Sequence, residues 1–267
     1  MDQRHFPTKI LAAVAMKRRL DQYLAEEGLL ESREKAKRAI IAGQIKLNGH
    51  RASKPSDIVK DGDHVELVGK DRFVSRGGLK LEHALRHFDL PCQDILAVDL
   101  GASTGGFTDC LLQFGAQRVY AVDVGKGQLA WALRQDPRVE VMEQVNARYL
   151  KRSEMPPDFP GADLVVIDCS FISLTMILPT ARELANQGSH IIALIKPQFE
   201  AGKTAVDQGR GVIKDPRIHQ EVIDSIKAHI VKEMHLDWIQ FIESPILGPA
   251  GNKEFLCLIK VTDAPNS

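Results

Sequence analysis

The sequence predicts an α/β protein in which a small α+β domain precedes a doubly wound, mostly parallel sheet. Seven apolar segments with strand character recur through the larger part, and helical segments separate most of them, as doubly wound sheets require. The region before residue 70 instead shows two short helical patterns, a hairpin turn signal and a small sheet. The predicted strands of the larger part are 95–99, 119–123, 139–142, 163–168, 191–196, 238–242 and 255–261, and its clearest predicted helices are 107–114, 128–134 and 217–234.

The formal charge is distributed unevenly along the 267 residues. The 35 basic and 35 acidic side chains cancel, yet residues 1–88 carry a balance of +6 and residues 89–267 a balance of −6. A basic end on an otherwise acidic chain predicts contact with a polyanion such as nucleic acid. Because six charges over 88 residues is a modest excess, chance remains the alternative explanation.

Composition excludes several classes of protein. The longest charge-free segment, residues 169–181, is shorter than the roughly 20 apolar residues of a spanning helix. The four cysteines are scattered without metal-type spacing, so we expect no metal, no disulfides and a cytoplasmic location. Residues 1–15 lack the features of a secretion signal and precede Met16, which predicts an extension from an upstream start codon.

The basic N-terminal part contains a dense set of matching motifs. Arg19-Leu20-Asp21, Ser32-Arg33, Asn48-Gly49 and Lys54-Pro55 occur in the order and spacing of an S4-type RNA-binding domain, which residues 17–70 closely resemble. The resemblance implies contacts with the RNA backbone, which supply affinity and register. An ordinary solvated basic face is the alternative. The RNA-binding candidates of this domain are Arg19, Arg33, Lys37, Arg38 and Lys54.

A glycine-rich turn follows the first predicted strand of the larger part. The run Asp99-Leu-Gly101-Ala-Ser-Thr-Gly105-Gly106-Phe107 differs from the G-x-G-x-x-G of dinucleotide sites, which argues against NAD. Asp123 ends the next strand, where an acceptor for ribose hydroxyls belongs. Together they resemble the first motif of class I methyltransferases, which implies S-adenosylmethionine as cofactor. The cofactor-binding candidates are Asp99, Gly101, Ser103, Thr104, Gly105, Gly106, Phe107, Asp123 and Asn146, although Phe107 could equally be a core residue.

Four further charged residues are the catalytic candidates. Lys80, Asp168, Lys196 and Glu254 each have an ordinary structural explanation when taken alone, but together they resemble the Lys-Asp-Lys-Glu tetrad of FtsJ-like ribose 2′-O-methyltransferases. The motifs around them, including Lys196-Pro-Gln-Phe-Glu200 and Gly248-Pro-Ala-Gly-Asn-Lys-Glu254, resemble the TlyA (haemolysin A) family over residues 16–261. We expect Lys196 to accept or steer the proton of a ribose hydroxyl. Asp168 would orient Lys196 and the nucleophile, and Glu254 would position Lys80 or the ribose.

The family resemblance implies methyl transfer to the ribose 2′-hydroxyl of a cytidine in ribosomal RNA. It predicts an extension at 1–15, an S4-type domain at 16–70, a linker at 71–78 and a Rossmann-like class I methyltransferase domain at 79–267. The expected partner is ribosomal RNA or a ribosomal subunit, with Arg76, Lys203 and Arg210 as further RNA contacts, and no membrane or obligate protein partner is expected. A noncatalytic ribosome-associated RNA-binding protein and, less favoured, a cytolysin remain the alternatives.

Overall fold

The computed structural model describes residues 17–68, 72–202, 211–248 and 250–262. The chain divides into two compact units, and the division falls between Arg72 and Phe73, inside the segment 71–78 that was expected to be a linker. The extension predicted at 1–15 and the RNA contacts predicted at Lys203 and Arg210 lie outside the described residues.

The N-terminal unit pairs two helices with two small antiparallel sheets. Ser32 accepts a hydrogen bond from the Lys35 N–H and caps the second helix, as a serine before a helix is expected to do. Asn48 and Gly49 both have positive φ, which suits the tight turn between two strands. The elements are β1 (Arg18–Arg19), α1 (Leu20–Glu26), α2 (Arg33–Ile41), β2 (Ile45–Leu47), β3 (His50–Arg51), β4 (Ile58–Val59) and β5 (Val65–Leu67), with β1 paired to β4 and β2 between β3 and β5.

The core of this unit lies between its helices and strands. Leu20, Tyr23 and Leu24 of α1 are buried against Ala36 and Ile40 of α2, at the helical spacing that the sequence pattern predicts. The polar face of α2 is left outside and carries Arg33, Lys37 and Arg38, whereas Arg19 precedes α1 and Lys54 lies between β3 and β4.

The C-terminal unit is built around one seven-stranded sheet. Its strands are β6 (Leu96–Leu100), β7 (Arg118–Asp123), β8 (Val139–Glu143), β9 (Ala162–Ile167), β10 (Ala185–Ile195), β11 (Asp237–Glu243) and β12 (Phe255–Lys260). They lie in the order β11-β12-β10-β9-β6-β7-β8. All neighbouring strands are parallel except β12, which runs antiparallel to both β10 and β11. The predicted α/β class is therefore confirmed.

Helices cover both faces of this sheet. They are α3 (Gly77–His87), α4 (Gly106–Gln113), α5 (Trp131–Arg134), α6 (Leu178–Leu184), α7 (Pro197–Glu200) and α8 (Pro216–Ala228). Alternate residues of each inner strand enter opposite cores; in β9, for example, Val165 and Ile167 face the α6 and α8 side, whereas Leu164 and Val166 face α3 and α4. Burial on both faces explains why these strands read as continuous apolar runs.

Two helices and one strand of the C-terminal unit differ from their predicted bounds by three residues or more, and its other predicted elements by one residue at one end or both. The segment 128–134 is helical only from Trp131, because the preceding backbone bonds to Glu143. The segment 217–234 is an α-helix to Ala228 and continues as a π-helical turn, His229–Glu233. Strand β10 begins at Ala185, with a register shift before His190. Among the described residues, none of the helices has the length and apolar character that crossing a membrane requires.

Candidate active site

The candidate site lies where the strand order of the large sheet reverses. The chain runs from β6 outward to β7 and β8, then returns to place β9 on the other side of β6. The loops after β6 and β9 consequently diverge and leave a crevice at the carboxyl ends of the two strands, which is where open α/β sheets bind ligands. Gly101 follows β6 and Asp168 follows β9, so both predicted motifs reach this crevice.

The glycine turn after β6 has room only for glycine at two positions. Gly101 has a φ of +88°, and a Cβ built on it would lie 2.8 Å from the carbonyl oxygen of Asp168. Gly105 has a φ of +97°, and its Cβ would lie 2.3 Å from Leu133 Cδ1. Gly101 is therefore closed to other residues by its conformation and by the Asp168 backbone, whereas at Gly105 the conformation disfavours other residues and the Leu133 side chain would have to shift. The turn holds its backbone close to the crevice floor and opens helix α4.

Asp123 connects this turn to the end of β7. One carboxylate oxygen accepts the Ser103 N–H at 2.8 Å, and the other accepts the Gly125 N–H at 2.7 Å. Each carboxylate oxygen has a second lone pair for an outside donor. This arrangement fixes Asp123 as an oriented acceptor, which suits the hydroxyls of a ribose.

A cavity of about 530 Å³ adjoins Asp123 and has the size of a small-molecule site. Its wall includes Gly101, Ser103, Asn146 and Asp168 as well, so five of the cofactor and catalytic candidates meet there. Cys169 also lines this cavity, and burial raises the pKa of its thiol to about 12, which keeps it uncharged. Phe107 lies in the core, 3% exposed, and lines an adjoining smaller cavity.

Asp99 lies beneath the turn and is completely buried. Its Oδ2 accepts the Thr108 hydroxyl at 2.7 Å, whereas Oδ1 has no hydrogen-bond partner among the described residues. Burial, together with the negative charge of Asp168, raises the pKa of Asp99 to about 7. Since Asp99 lines neither cavity, the structure gives it no exposed surface for a direct cofactor contact.

Helix α3 brings Lys80 to the crevice. The helix starts with two glycines that pack against the start of α4: a Cβ built on Gly106 would lie 2.9 Å from the Gly78 nitrogen. Lys80 is buried, and its Nζ lies 2.5 Å from Glu254 Oε2 at the start of β12. Glu254 is 1% exposed, and its Oε1 has no partner among the described residues. The first and last members of the predicted tetrad thus form one buried ion pair.

Lys196 and Asp168 form a second ion pair. Lys196 ends β10, and its Nζ lies 2.6 Å from Asp168 Oδ1. The same nitrogen donates to Ser170 Oγ at 2.8 Å and to the Cys169 carbonyl at 3.0 Å. Three acceptors around one nitrogen suit an ammonium group, which has three hydrogens to donate.

Lys80 and Asp168 line one cavity of about 220 Å³. Asp168 also lines the larger cavity, so its carboxylate stands between the two. The wall of the smaller cavity includes the exposed guanidinium-bearing residue Arg76 and the exposed Leu247. A Cβ built on Gly77 would lie 3.9 Å from Asp168 Oδ2, which places this oxygen beside the first turn of α3. The remaining cofactor candidates Ser103, Thr104, Gly106 and Phe107 line this cavity as well.

The RNA-binding candidates of the N-terminal unit differ in their surroundings. Arg19 and Arg33 both bond to the buried carboxylate of Asp21. Lys37 pairs with Glu34 on the exposed side of α2. The side chains of Arg38 and Lys54 are exposed.

Several residues that shape the site were not predicted. Glu143 accepts the N–H groups of Gly127 and Gln128 and the Arg134 guanidinium, which lowers its pKa to about 2 and holds the loop after Asp123. Glu200 accepts the Ser173 hydroxyl and the Leu174 N–H, both at 2.7 Å, and so joins the loop after β9 to α7.

Two more lie in motifs that the sequence had singled out. Asn252 is 1% exposed and bonds to both Gly211 and Ile213. Phe171 is 90% exposed with a φ of +63° at the mouth of the larger cavity. The only sequence signal for Glu200 was its place at the end of the KPQFE motif, and the only one for Asn252 was its place inside GPAGNKE.

Residues 73–260 match the FtsJ-like methyltransferase family, and residues 18–65 match the S4 domain. A candidate rRNA methyltransferase of Bacillus subtilis, YqxC, is 48% identical over 90% of this chain and 84% of its own length. The 16S/23S rRNA (cytidine-2′-O)-methyltransferase TlyA of Mycobacterium tuberculosis is 42% identical, over 94% of this chain and 92% of its own. A solved structure of a candidate haemolysin from Streptococcus thermophilus is 44% identical, with a TM-score of 0.71, and covers 94% of this chain and 91% of that one.

The sheet order, the glycine turn and the acidic end of β7 define the catalytic unit as a class I methyltransferase domain. The chain belongs to the FtsJ-like methyltransferase family, within the group that includes TlyA and haemolysin A, and it carries an S4 domain in front of the catalytic unit.

Proposed function

We propose that this protein transfers a methyl group from S-adenosylmethionine to the ribose 2′-hydroxyl of a cytidine in RNA of the small or large ribosomal subunit. One observation carries the proposal. The ion pairs Lys80–Glu254 and Lys196–Asp168 come from four separate elements and present Lys80 and Asp168 to one cavity beside the glycine turn. The choice of cytidine rests on the activity for which the Mycobacterium tuberculosis relative is named.

The residues of the larger cavity fit S-adenosylmethionine. Gly101 lines this cavity, and a Cβ on it would be forced against the Asp168 carbonyl, while Gly105 shapes the turn with a φ of +97°. Asp123 offers two oriented acceptors for ribose hydroxyls. Asn146 lines the same cavity and offers an amide for the adenine edge. When bound, this cofactor supplies a methyl group activated by a positively charged sulfur. The carboxylate of Asp168, at the junction of the two cavities, suits that charge.

Asp168 and Lys196 act together on the ribose hydroxyl. Because Lys196 donates two hydrogen bonds and forms an ion pair with Asp168, it serves as an ammonium that orients Asp168. Of the two roles expected for Lys196, accepting or steering the proton, this arrangement supports the second. Asp168 Oδ1 is held by Lys196, so Oδ2 is the oxygen that takes the hydrogen bond from the 2′-hydroxyl. With the cofactor bound, such a bond would orient the 2′-oxygen for attack, and Asp168 Oδ2 would take up the hydroxyl proton as the methyl group is transferred.

Lys80 stabilises negative charge on the attacking oxygen. One of its three hydrogens is directed at Glu254, and the other two are available on the cavity side. Glu254 holds the ammonium in place in a nearly dry environment, where a charge acts more strongly than in water. The pair is neutral, so its burial does not leave an uncompensated charge.

Exposed apolar side chains at the rim support a nucleobase as the group that accompanies the ribose. Phe171 and Leu247 are 90% and 51% exposed and line the larger and the smaller cavity, respectively. An exposed aromatic ring is a stacking surface for an unpaired base. Arg76 lies on the wall of the smaller cavity and is placed to meet a backbone phosphate.

The decisive experiment measures tritiated methyl transfer to ribosomal subunits and to naked rRNA from cells that lack this gene. The product is mapped by resistance of the modified nucleotide to alkaline cleavage, which distinguishes ribose from base methylation. We expect one or a few 2′-O-methylcytidines. Methylation on a base, or no methylation of any ribosomal RNA, contradicts the proposal.

Lys196→Ala is the matched inactive variant. We expect it to abolish transfer while it binds S-adenosylmethionine within about threefold of the wild type, because Lys196 does not line the cofactor cavity. Wild-type turnover in this variant overturns the assignment of the tetrad. RNA binding without methylation by the wild-type protein favours a noncatalytic RNA-binding role instead.

A further inference from the structure

One buried carboxylate in the N-terminal unit is shared by two arginines. The Asp21 side chain is 0% exposed. Its Oδ1 accepts Arg19 Nε at 3.0 Å and the Gln22 N–H at 3.0 Å, and its Oδ2 accepts Arg33 Nη2 at 3.0 Å and Arg19 Nη2 at 3.3 Å. Four hydrogen bonds therefore converge on a charge that has no access to solvent.

The carboxylate fixes both guanidinium groups. Arg19 precedes α1 and Arg33 is the first residue of α2, so their shared partner ties the starts of two helices together. Arg19 binds through two nitrogens in the fork geometry that suits a carboxylate. Both arginine side chains remain about half exposed, at 45% and 53%, so they reach the surface while one end of each is anchored.

The anchored pair keeps unused donors. Arg19 gives one hydrogen each of Nε and Nη2 to Asp21, which leaves three of its five, and Arg33 gives one Nη2 hydrogen, which leaves four, as far as the described residues show. Two guanidinium groups around one carboxylate have a net charge of +1. The group is thus a preoriented set of N–H donors with residual positive charge, which is what a phosphate oxygen requires.

The neighbouring basic residues lack this arrangement. Arg18 is paired with both Glu26 and Glu27, which outweigh its charge. Lys37 is paired with Glu34, whose side chain is 69% exposed, so that pair is solvated and easily rearranged. Arg19 and Arg33 therefore differ from Arg18 and Lys37 in having a buried anchor rather than an exposed partner.

We infer that Asp21 is a positioning residue that preorganises Arg19 and Arg33 as one binding site for an RNA backbone phosphate. The inference rests on the proposed RNA-binding function of the S4 domain and adds to it the residue that sets the geometry. Preorganisation lowers the entropic cost of ordering two long side chains at the moment of binding.

The test compares full-length variants for RNA affinity by filter binding with rRNA, and for kcat and KM in methyl transfer. Asp21→Asn removes the anchor charge, and Asp21→Glu keeps the charge but displaces both arginines. Arg19→Ala/Arg33→Ala removes the site itself. Glu26→Gln is the control, because Glu26 is an exposed carboxylate on the same helix. Circular dichroism and thermal unfolding record whether each variant is folded.

We expect Asp21→Asn and Asp21→Glu to raise the Kd for RNA about tenfold with kcat at saturating RNA unchanged, and to reduce the slope of log Kd against log salt. In the Arg19→Ala/Arg33→Ala background, Asp21→Asn should add nothing further. Glu26→Gln should bind as the wild type does.

The outcomes separate the inference from the function on which it rests. If the double arginine variant binds RNA normally, the proposed S4 contacts are wrong. If that variant is weakened but both Asp21 variants bind normally, or if Asp21→Asn weakens binding equally with and without the arginines, the positioning role is overturned. If Asp21→Asn unfolds the unit, Asp21→Glu decides, because it keeps the buried charge.

Discussion

Lys80 Nζ and Glu254 Oε2 lie 2.5 Å apart, although 174 positions separate the two residues in the chain. One is on the first helix of the catalytic unit and the other begins its last strand. Their pairing is possible because β12 inserts beside β10, next to the strand that carries Lys196. The sheet topology therefore assembles the tetrad, and no local segment could do so.

Glu254→Gln should lower kcat about a hundredfold with little change in cofactor affinity, because the charge that holds the Lys80 ammonium at the cavity is lost. Single-turnover methyl transfer and calorimetric binding of S-adenosylmethionine measure the two quantities. Glu243→Gln is the control, since Glu243 pairs with Lys253 at the surface. If both substitutions lower kcat equally, the loss of any negative charge reduces turnover, and the Lys80–Glu254 pair has no special role.

Phe171→Gly should impair function without loss of stability. The side chain is 90% exposed, and its φ of +63° is one that glycine adopts more readily. We expect an unchanged or slightly higher Tm and a fall of at least about tenfold in kcat/KM for RNA, the scale of one lost base stack. Phe171→Trp should keep most activity. A variant with lower Tm and normal kcat/KM would make Phe171 a structural residue.

Asp99→Asn should stabilise the protein in a pH-dependent way. Burial raises the pKa of Asp99 from 3.8 to about 7, so the favourable contribution of the protonated carboxyl is complete below about pH 4 and is lost as the pH rises through 7. The amount by which asparagine increases the free energy of unfolding should therefore grow between pH 4 and 7 and reach about 1–3 kcal/mol at pH 8. Urea unfolding at several pH values measures it. The control is Asp89→Asn at an exposed position, whose effect on stability should not depend on pH. If the effect of Asp99→Asn is equally independent of pH, the Asp99 carboxyl is not buried in solution.

Glu143→Gln should weaken S-adenosylmethionine binding about tenfold, because the loop that follows Asp123 loses a charged acceptor for two N–H groups and for Arg134.

The N–H of Gly127 and the Arg134 guanidinium hold the pKa of Glu143 near 2, so its contribution to stability is present above about pH 4.5 and disappears toward pH 2. Calorimetry and acid unfolding test both effects. Glu140→Gln, three residues earlier on β8, should leave cofactor affinity unchanged.

The strands were predictable because the sheet is buried on both faces. An apolar run such as 163–168 by itself indicates a strand, and the structure has this strand at Ala162–Ile167. The start of α5 could not be predicted from the sequence, because the chain before Trp131 donates hydrogen bonds to Glu143, which lies on strand β8. Hydrogen bonds between distant segments leave no periodic pattern in the sequence.

The candidate site was predictable as a set of residues but not as a geometry. The spacing of Lys80, Asp168, Lys196 and Glu254 carried the family resemblance, whereas their division into two ion pairs follows from strand order. The exposure of Phe171 could not be foreseen, because an aromatic residue after a buried strand usually belongs to the core. The catalytic and binding roles of the individual residues stay predictions until the variants are measured.

The position of β12 has a consequence for how the enzyme is made. This strand comes last in the chain yet lies between β10 and β11, so two earlier strands must leave a gap for it during synthesis. Until it arrives, Lys80 lacks its counter-charge and the sheet is interrupted beside Lys196. A nascent chain that lacks β12 therefore carries the glycine turn and the S4 domain but not the Lys80–Glu254 pair. Since we propose that this pair serves catalysis, we expect methyl transfer to begin only after β12 has left the ribosome and docked.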